Sequence, residues 1–309
     1  MGEFHQTDLI NIVLRATSDR TPFLSTLHDR SCILCIMNRL SLERRAKILA
    51  CLVESMGINA ACRITDTAKH TVLDLLADVG EACQRYQDEH LRGLNCGRIE
   101  CDEIWAFCYA KQKNVPEQFR GRLGFGDVWT WTAIDAETKL VPCWHVGRRD
   151  AAAAQTFMTD LASRLNNRVQ LTTDGHRAYL IAVDEAFQND IDYAMLVKIY
   201  GSPQEAEVRY SPPICLGSDK TVIRGRPDPD KISTSYVERQ NLTMRMSMRR
   251  FTRLTNAHSK KLASNKHAVA LHFMHYNFAR INEAVRCSPA MEAGVSDHLW
   301  TIKEIAELC

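Results

Sequence analysis

Three carboxylates occupy positions in the chain where they could hold metal ions for a reaction on phosphate. Asp102 lies in an aromatic and β-branched segment, Asp174 directly follows the short predicted strand 169–173, and Glu238 lies near the start of the segment 233–251. After Glu238, this segment carries only basic charges. A lone acid at the head of a basic helix suits a metal ion held beside a polyphosphate backbone. An ordinary solvated helix with one glutamate is the alternative.

The chemistry of such a set of acids follows from their mutual repulsion. Three carboxylates buried at one place repel one another strongly unless cations are present. Two Mg²⁺ ions about 4 Å apart would relieve the repulsion and supply phosphoryl-transfer chemistry. One ion would activate a water or a 3′-hydroxyl, and the other would stabilise the leaving oxygen. The carboxylates would then act as metal ligands and not as nucleophiles.

The composition is that of a globular protein with no membrane span. Of the 309 residues, 45% are hydrophobic and 25% are charged, and no run of eighteen apolar residues occurs. The formal net charge of +2 is too small to indicate nucleic acid, so only its distribution is informative. The 12 scattered cysteines and the absence of a secretory signal predict a cytoplasmic protein. Cys32 and Cys35 form a CxxC without the second pair that a zinc site needs.

Residues 37–96 are predicted to form a small all-α domain. A helical period begins at Met37, Gly57 interrupts it, and two further helices are separated by a short polar turn. This arrangement predicts a helix-turn-helix that binds DNA, with Lys69, His70 and Thr71 at the end that faces the groove. A plain three-helix packing unit is the alternative. Residues 1–36 show no clean period and are predicted to be an extension of uncertain order.

Residues 97–309 are predicted to form an α/β domain. The predicted elements follow in the order strands 98–109, 127–134 and 140–146, helix 150–165, strand 169–173, helix 177–187, strand 192–199, a long irregular loop 200–232, the helix of Glu238, and a helix 260–285. This order is that of a ribonuclease H-like mixed sheet with flanking helices. In such a sheet the first and fourth strands are neighbours, so we expect Asp102 and Asp174 to converge and the helix of Glu238 to pack across that edge.

Two ambiguities remain at the level of sequence. Glu103 follows Asp102, and because strand side chains alternate, we expect only one of the two to face the site. If the register is reversed, Glu103 is the ligand. His176 either contacts phosphate or caps its own helix.

Basic residues after Glu238 are candidates for contacts with DNA phosphates. Arg245 lies two turns further along the same helix face, and residues 239–286 form a long basic stripe with one acid. The DNA-binding candidates of this domain are His176, Arg239, Arg245, Arg249 and Arg250.

Three ordered blocks carry a family resemblance. They are Cys-Asp-Glu-Ile-Trp at 101–105, Thr-Thr-Asp-Gly-His at 172–176 and Ser-Thr-Ser-Tyr-Val-Glu-Arg-Gln-Asn at 233–241. They closely resemble the catalytic blocks of DDE transposases of the bacterial insertion sequence one family. The runs 244–256 and 267–278 are also similar to that family, and the resemblance extends from about Met37 to the C-terminus.

The resemblance implies an enzyme of DNA transposition. It implies binding to terminal inverted repeats, cleavage at the 3′ ends and joining to target DNA, with Asp102, Asp174 and Glu238 as the catalytic and metal-binding triad. The implied cofactor is Mg²⁺, with Mn²⁺ as a substitute. The implied partners are double-stranded DNA, as transposon ends and as target, and further copies of the chain around paired ends, in the nucleoid of a bacterium.

The sequence departs from the family at three places, and these departures leave an alternative function open. Family members commonly begin near Met37, Arg148 stands where glycine is common, and 281–286 differs from the usual continuation. The alternative is a regulator or structural DNA-binding protein that derives from a transposase and lacks catalytic activity. Metal-dependent cleavage by an intact triad would separate the two.

A chain that begins at Met37 is expected to bind terminal-repeat DNA as well as the full chain, because the predicted DNA-binding helices all follow this residue. Electrophoretic mobility shifts of the two proteins on the same repeat would measure this. Weaker binding after truncation would show that residues 1–36 take part.

Overall fold

The computed structural model describes residues 39–201, 214–252 and 255–309. By its contacts the chain divides into Met1–Ser41 and a compact unit, Leu42–Cys309. This second unit contains every element described below. The predicted extension over residues 1–36, with Cys32 and Cys35, lies outside the described residues.

A six-stranded mixed sheet forms the centre of the described unit. Its strands are β1 (Arg98–Cys108), β2 (Gly126–Asp135), β3 (Trp144–Gly147), β4 (Val169–Thr173), β5 (Ile191–Gly201) and β6 (Ile214–Arg224). They lie in the order β3-β2-β1-β4-β5-β6. The pairs β1–β4 and β4–β5 are parallel, and the other neighbouring pairs are antiparallel. The sheet with its flanking helices is consistent with a ribonuclease H-like α/β fold, as the sequence predicts.

The helices lie before the sheet, between its strands and after it. They are α1 (Leu42–Val53), α2 (Ile58–Thr65), α3 (Lys69–His90), α4 (Ala151–Arg164), α5 (Ala178–Phe187), α6 (Ser235–Ser247), α7 (Leu262–Met274), α8 (Pro289–Glu292) and α9 (Ile302–Glu307). A π-helical turn, His275–Ala279, continues α7. Among the residues described, no helix combines the length and the apolar character that a bilayer span needs.

The core lies on both faces of the sheet, as parallel strands require. On one face, the buried Trp131 of β2 contacts Phe157 of α4 and Tyr179 of α5, with ring centroids 6.0 and 5.3 Å apart. On the other face, α6 packs against β1 and β2.

Helix α3 packs along α7. A Cβ atom at Gly80 would lie 2.6 Å from the Cα atom of His267, so only glycine permits this close helix crossing. Helices α1 to α3 are therefore tied to the later part of the chain by tight packing.

Three predicted elements differ from the structure. The third strand, predicted over 140–146, begins only at Trp144. The segment 200–232, predicted to be irregular, contains β6, which pairs antiparallel with β5. The prediction was wrong because β6 is largely exposed and lacks an apolar alternation, so pairing with β5 rather than burial defines it. The last long helix ends earlier than 285, because the backbone becomes extended at Arg280.

The buried ring of His272 in α7 predicts a loss of stability in acid. Burial lowers the pKa of His272 to about 3, and the positive charges of His275 and Arg280 add to the effect. The folded chain thus keeps this ring neutral, whereas the unfolded chain takes up a proton below its unfolded pKa of about 6.5. Because the unfolded state binds more protons below that value, stability falls as the pH falls.

We expect His272→Leu to reduce the loss of unfolding free energy between pH 6.5 and pH 5 by about 2 kcal/mol. Urea denaturation at the two pH values measures it. The control His70→Leu removes an exposed ring of α3 and should leave the difference unchanged. An undiminished loss in His272→Leu would contradict this account.

Candidate metal centre

The parallel pairing of β1 with β4 places two acids side by side. Cys101 of β1 lies opposite Thr173 of β4 in the register. The next residues of the two strands, Asp102 and Asp174, therefore lie at the same level of the sheet, where β4 ends. The predicted convergence of these two acids has its origin in this register.

A third carboxylate, that of Glu103, joins this pair. Asp102, Glu103 and Asp174 offer ligand oxygens that all lie within 4.8 Å of one another. We call these three residues the acid cluster. Both neighbours on β1 reach Asp174, although alternation predicted that only one would. The pairing of β1 with β4 stops at Cys101, so the side chain of Glu103 can reach round the end of β4.

Each acid of the cluster is oriented by hydrogen bonds. Asp102 accepts from the backbone N–H of Glu103 and from Nδ2 of Asn241, both at 2.8 Å. Asp174 accepts from the backbone N–H of His176 at 3.0 Å. The side chain of Glu103 is 0% exposed, and a hydrogen bond from the buried Tyr179 hydroxyl lowers its pKa against the larger effect of burial. A buried carboxylate in a cluster of acids suits a ligand for a cation.

One arginine compensates part of this negative charge. Arg149 donates from Nε to Glu103 at 3.0 Å and from Nη2 to Asp174 at 3.4 Å. Its guanidinium stacks over the ring of Trp129, 4.8 Å from the centroid. Arg149 thus bridges two of the three acids from a fixed position.

Burial and crowding raise the pKa values of the two acids on β1. Burial raises the pKa of Asp102 to about 6, and the charges of Asp174 and Glu238 add to the effect. Burial likewise raises the pKa of Glu103 to about 7, with Asp174 as the next cause. The cluster therefore retains protons near neutral pH, and a cation that binds there would release them.

Glu238 lies near the acid cluster but outside it. Both of its oxygens lie 2.5 Å from Nζ of Lys198 on β5, and Thr234 donates to Oε1 at 2.8 Å. The charge of Glu238 nevertheless acts on Asp102. Asn241, three residues further along α6, donates directly to Asp102. Helix α6 therefore lies against the cluster, with the Glu238 carboxylate held by an ammonium group.

The candidate residues for DNA contacts differ in their surroundings. Lys69 and His70 are exposed in the first turn of α3, and Thr71 is half-buried there. The His176 ring packs near the Trp131 ring, with centroids 5.7 Å apart, and burial lowers the pKa of His176.

The arginines of the basic stripe also differ in their exposure and in their partners. Arg239 and Arg249 are exposed, and Arg245 is half-buried and has partners within the fold. Arg250 donates to Ser259 and to the backbone oxygen of Ser264 at 2.7 and 2.6 Å, so its guanidinium holds the chain together.

Sequence reasoning missed three side chains that shape the site: Arg149, Lys198 and Asn241. Lys198 is a cation within the mainly apolar stretch 193–199, and Asn241 lies one turn beyond Glu238. The sequence could therefore have indicated Lys198 and Asn241 as candidate site residues. Arg149 carries no such signal, because it precedes the helix cap Asp150 in an exposed turn.

The donor set fits a hard divalent cation. Carboxylate oxygens are the ligands that Mg²⁺ and Mn²⁺ prefer, and the cluster contains no sulfur or imidazole ligand. The buried carboxylate of Glu103 is a further available donor. The residues present therefore suit a divalent metal ion.

Comparison with known proteins agrees with this chemistry. A protein-family model described as a DDE domain matches residues 122–208. The matched stretch runs from the turn before β2 into β5 and beyond, and it includes Asp174 but neither Asp102 nor Glu238. A search of curated proteins found no match. The family match, together with the acid cluster, supports a DDE transposase and a divalent metal ion at the site.

If Glu103 is a metal ligand, Glu103→Gln should weaken Mn²⁺ binding by at least about tenfold, because the substitution removes a buried charged donor. Isothermal titration calorimetry on the full chain measures this affinity. The control Asp190→Asn removes an acid whose side chain is 79% exposed and should leave the affinity unchanged. Unaltered binding in Glu103→Gln would exclude a ligand role.

Proposed function

We propose that the chain is a transposase of the bacterial insertion sequence one family, which cleaves DNA at the 3′ ends of its element and joins them to target DNA. The acid cluster at the end of β4 carries this proposal. Its carboxylates are close enough to share cations, and α6, which bears the exposed Arg239, lies against it. This combination suits a phosphodiester substrate.

In this proposal, Asp102 and Asp174 hold the metal ions, and Glu238 completes the triad. The bound ions would supply an activated water or 3′-hydroxyl and stabilise the leaving oxygen. Asn241 keeps Asp102 turned toward the site through its 2.8 Å hydrogen bond. Arg149 limits the repulsion between Glu103 and Asp174. Lys198 holds the Glu238 carboxylate in place through an ion pair.

The DNA partner follows from the same proposal. Residues 37–96 would form a helix-turn-helix domain that reads the terminal inverted repeats through Lys69, His70 and Thr71. Residues 97–309 would form the catalytic domain. The exposed Arg239 and Arg249 would contact phosphates, as charge-assisted donors do. The active form would be a homo-oligomer around two paired ends, in the bacterial nucleoid.

One observation favours a second candidate function, a DNA-binding protein without catalytic activity. Lys198 holds both oxygens of Glu238, so a metal ion at this carboxylate must compete with an ammonium group. If Glu238 stays bound to Lys198 and not to the metal ion, the ion lacks the third ligand of the triad. Metal-dependent strand transfer by the wild-type chain would exclude this candidate.

The substitution Asp174→Asn is expected to lower Mg²⁺-dependent strand transfer by at least about a hundredfold, because a required ligand is lost and the ions move from their positions. DNA binding should persist, since Asp174 contributes no positive charge. The assay joins a labelled oligonucleotide that ends in the terminal repeat to a plasmid, with mobility shifts for binding. The control Asp190→Asn should transfer strands normally. Unchanged transfer by Asp174→Asn would refute the mechanism.

A further inference from the structure

Glu100 is a buried acid of β1 that makes contacts across to α6. It is 0% exposed and lies two residues before Asp102, on the same face of the strand. Its Oε2 accepts from the backbone N–H groups of Tyr236 and Val237, at 2.7 and 3.1 Å. A carboxylate of the central sheet thus accepts two hydrogen bonds from backbone N–H groups at the start of a helix.

These two amides belong to the first turn of α6, where helix amides have no partner within the helix. The residue that precedes the helix, Thr234, supplies no side-chain cap, because its hydroxyl donates to Glu238 instead. The helix N-terminus also carries partial positive charge, which a buried carboxylate offsets. Glu100 therefore caps α6 from another element.

A second contact joins the same strand to the same helix. Asn241 of α6 donates to Asp102 of β1 at 2.8 Å. From Glu100 to Asp102 the strand advances by two residues, or about 7 Å. From Val237 to Asn241 the helix advances by four residues, or about 6 Å. The two spacings agree, so the two contacts together fix the position of α6 along β1.

We propose that Glu100 is a positioning residue that sets the register of α6 against β1 and thereby holds Glu238 beside the acid cluster. Glu238 directly follows Val237, whose N–H binds Glu100, so a shift of this turn displaces the Glu238 carboxylate. The inference rests on the proposed role of Glu238 as a metal ligand. It assigns to Glu100 no contact with metal or substrate.

The test is a double-mutant cycle on Mn²⁺ affinity, measured by isothermal titration calorimetry with the full chain. Glu100→Met removes both acceptor oxygens at nearly constant length, and Glu100→Gln keeps one oxygen that can accept the amides. We expect Glu100→Met to weaken Mn²⁺ binding by about tenfold and Glu100→Gln by less than about threefold. In a Glu238→Gln background, Glu100→Met should add less than about a twofold effect, since the residue it positions is already lost.

The matched control is Asp135→Asn. Asp135 is also buried and also accepts two hydrogen bonds, but both come from Thr138 in the turn after β2. Its substitution should leave Mn²⁺ affinity within about twofold of wild type. Equal weakening by Glu100→Met in both backgrounds, or no weakening in either, would overturn the inference.

A second measurement applies if Glu100→Met does not fold. Amide hydrogen exchange of Glu100→Gln should be faster than in wild type at Tyr236 and Val237 of α6, because a neutral amide oxygen accepts more weakly than a carboxylate. The amides of β1 should be unchanged. Unchanged exchange at these two amides would overturn the inference. A wild-type chain that binds Mn²⁺ through Glu238 but transfers no strands would instead refute the proposed function and leave this inference standing.

Discussion

The parallel pairing of β1 with β4 is the constraint on which the site depends. Its register sets Cys101 opposite Thr173, and so Asp102 opposite Asp174. The pairing stops there, which leaves room for Glu103 to reach the same place. Three carboxylates at the end of a buried strand repel one another. Burial, together with this repulsion, raises the pKa values of Asp102 and Glu103. The fold supplies a local excess of negative charge that a divalent cation can relieve.

Two positive groups beside the acids have defined partners within the described part of the chain. Arg149 bridges Glu103 and Asp174, and Lys198 binds Glu238. Helix α6 is held to β1 by acids of the strand, through the backbone at its start and through Asn241 one turn later. The same strand therefore provides ligands for the proposed metal ions and the acceptors that hold the helix bearing the proposed third ligand.

Much of this arrangement could be predicted from sequence, because it depends on local patterns. The bounds of β4 agree residue for residue with the prediction 169–173, since the β-branched Val169, Thr172 and Thr173 favour a strand and the following Asp-Gly ends it. The position of Asp102 within β1 and of Glu238 in the first turns of α6 follow in the same way.

The remainder depends on contacts between distant parts of the chain. Lys198 and Glu238 are 40 residues apart in sequence. Their contact depends on the position of β5 next to β4 in the sheet. Alternation still places Asp102 and Glu103 on opposite faces of β1, but the pairing with β4 stops at Cys101, so carboxylates from both faces reach Asp174. The hydrogen bond from the backbone N–H of Tyr236 to Glu100 joins residues that are 136 positions apart, so no local sequence pattern predicts it.

The most direct test of the central claim is a crystal structure of the full chain with Mn²⁺, measured at a wavelength where manganese scatters anomalously. The account predicts an anomalous peak within coordination distance of both the Asp102 and the Asp174 carboxylates. Oxygen ligands lie about 2.0–2.1 Å from Mg²⁺, the ion for which Mn²⁺ substitutes. Ordered Asp102 and Asp174 side chains at saturating Mn²⁺ with no anomalous peak between them would contradict it.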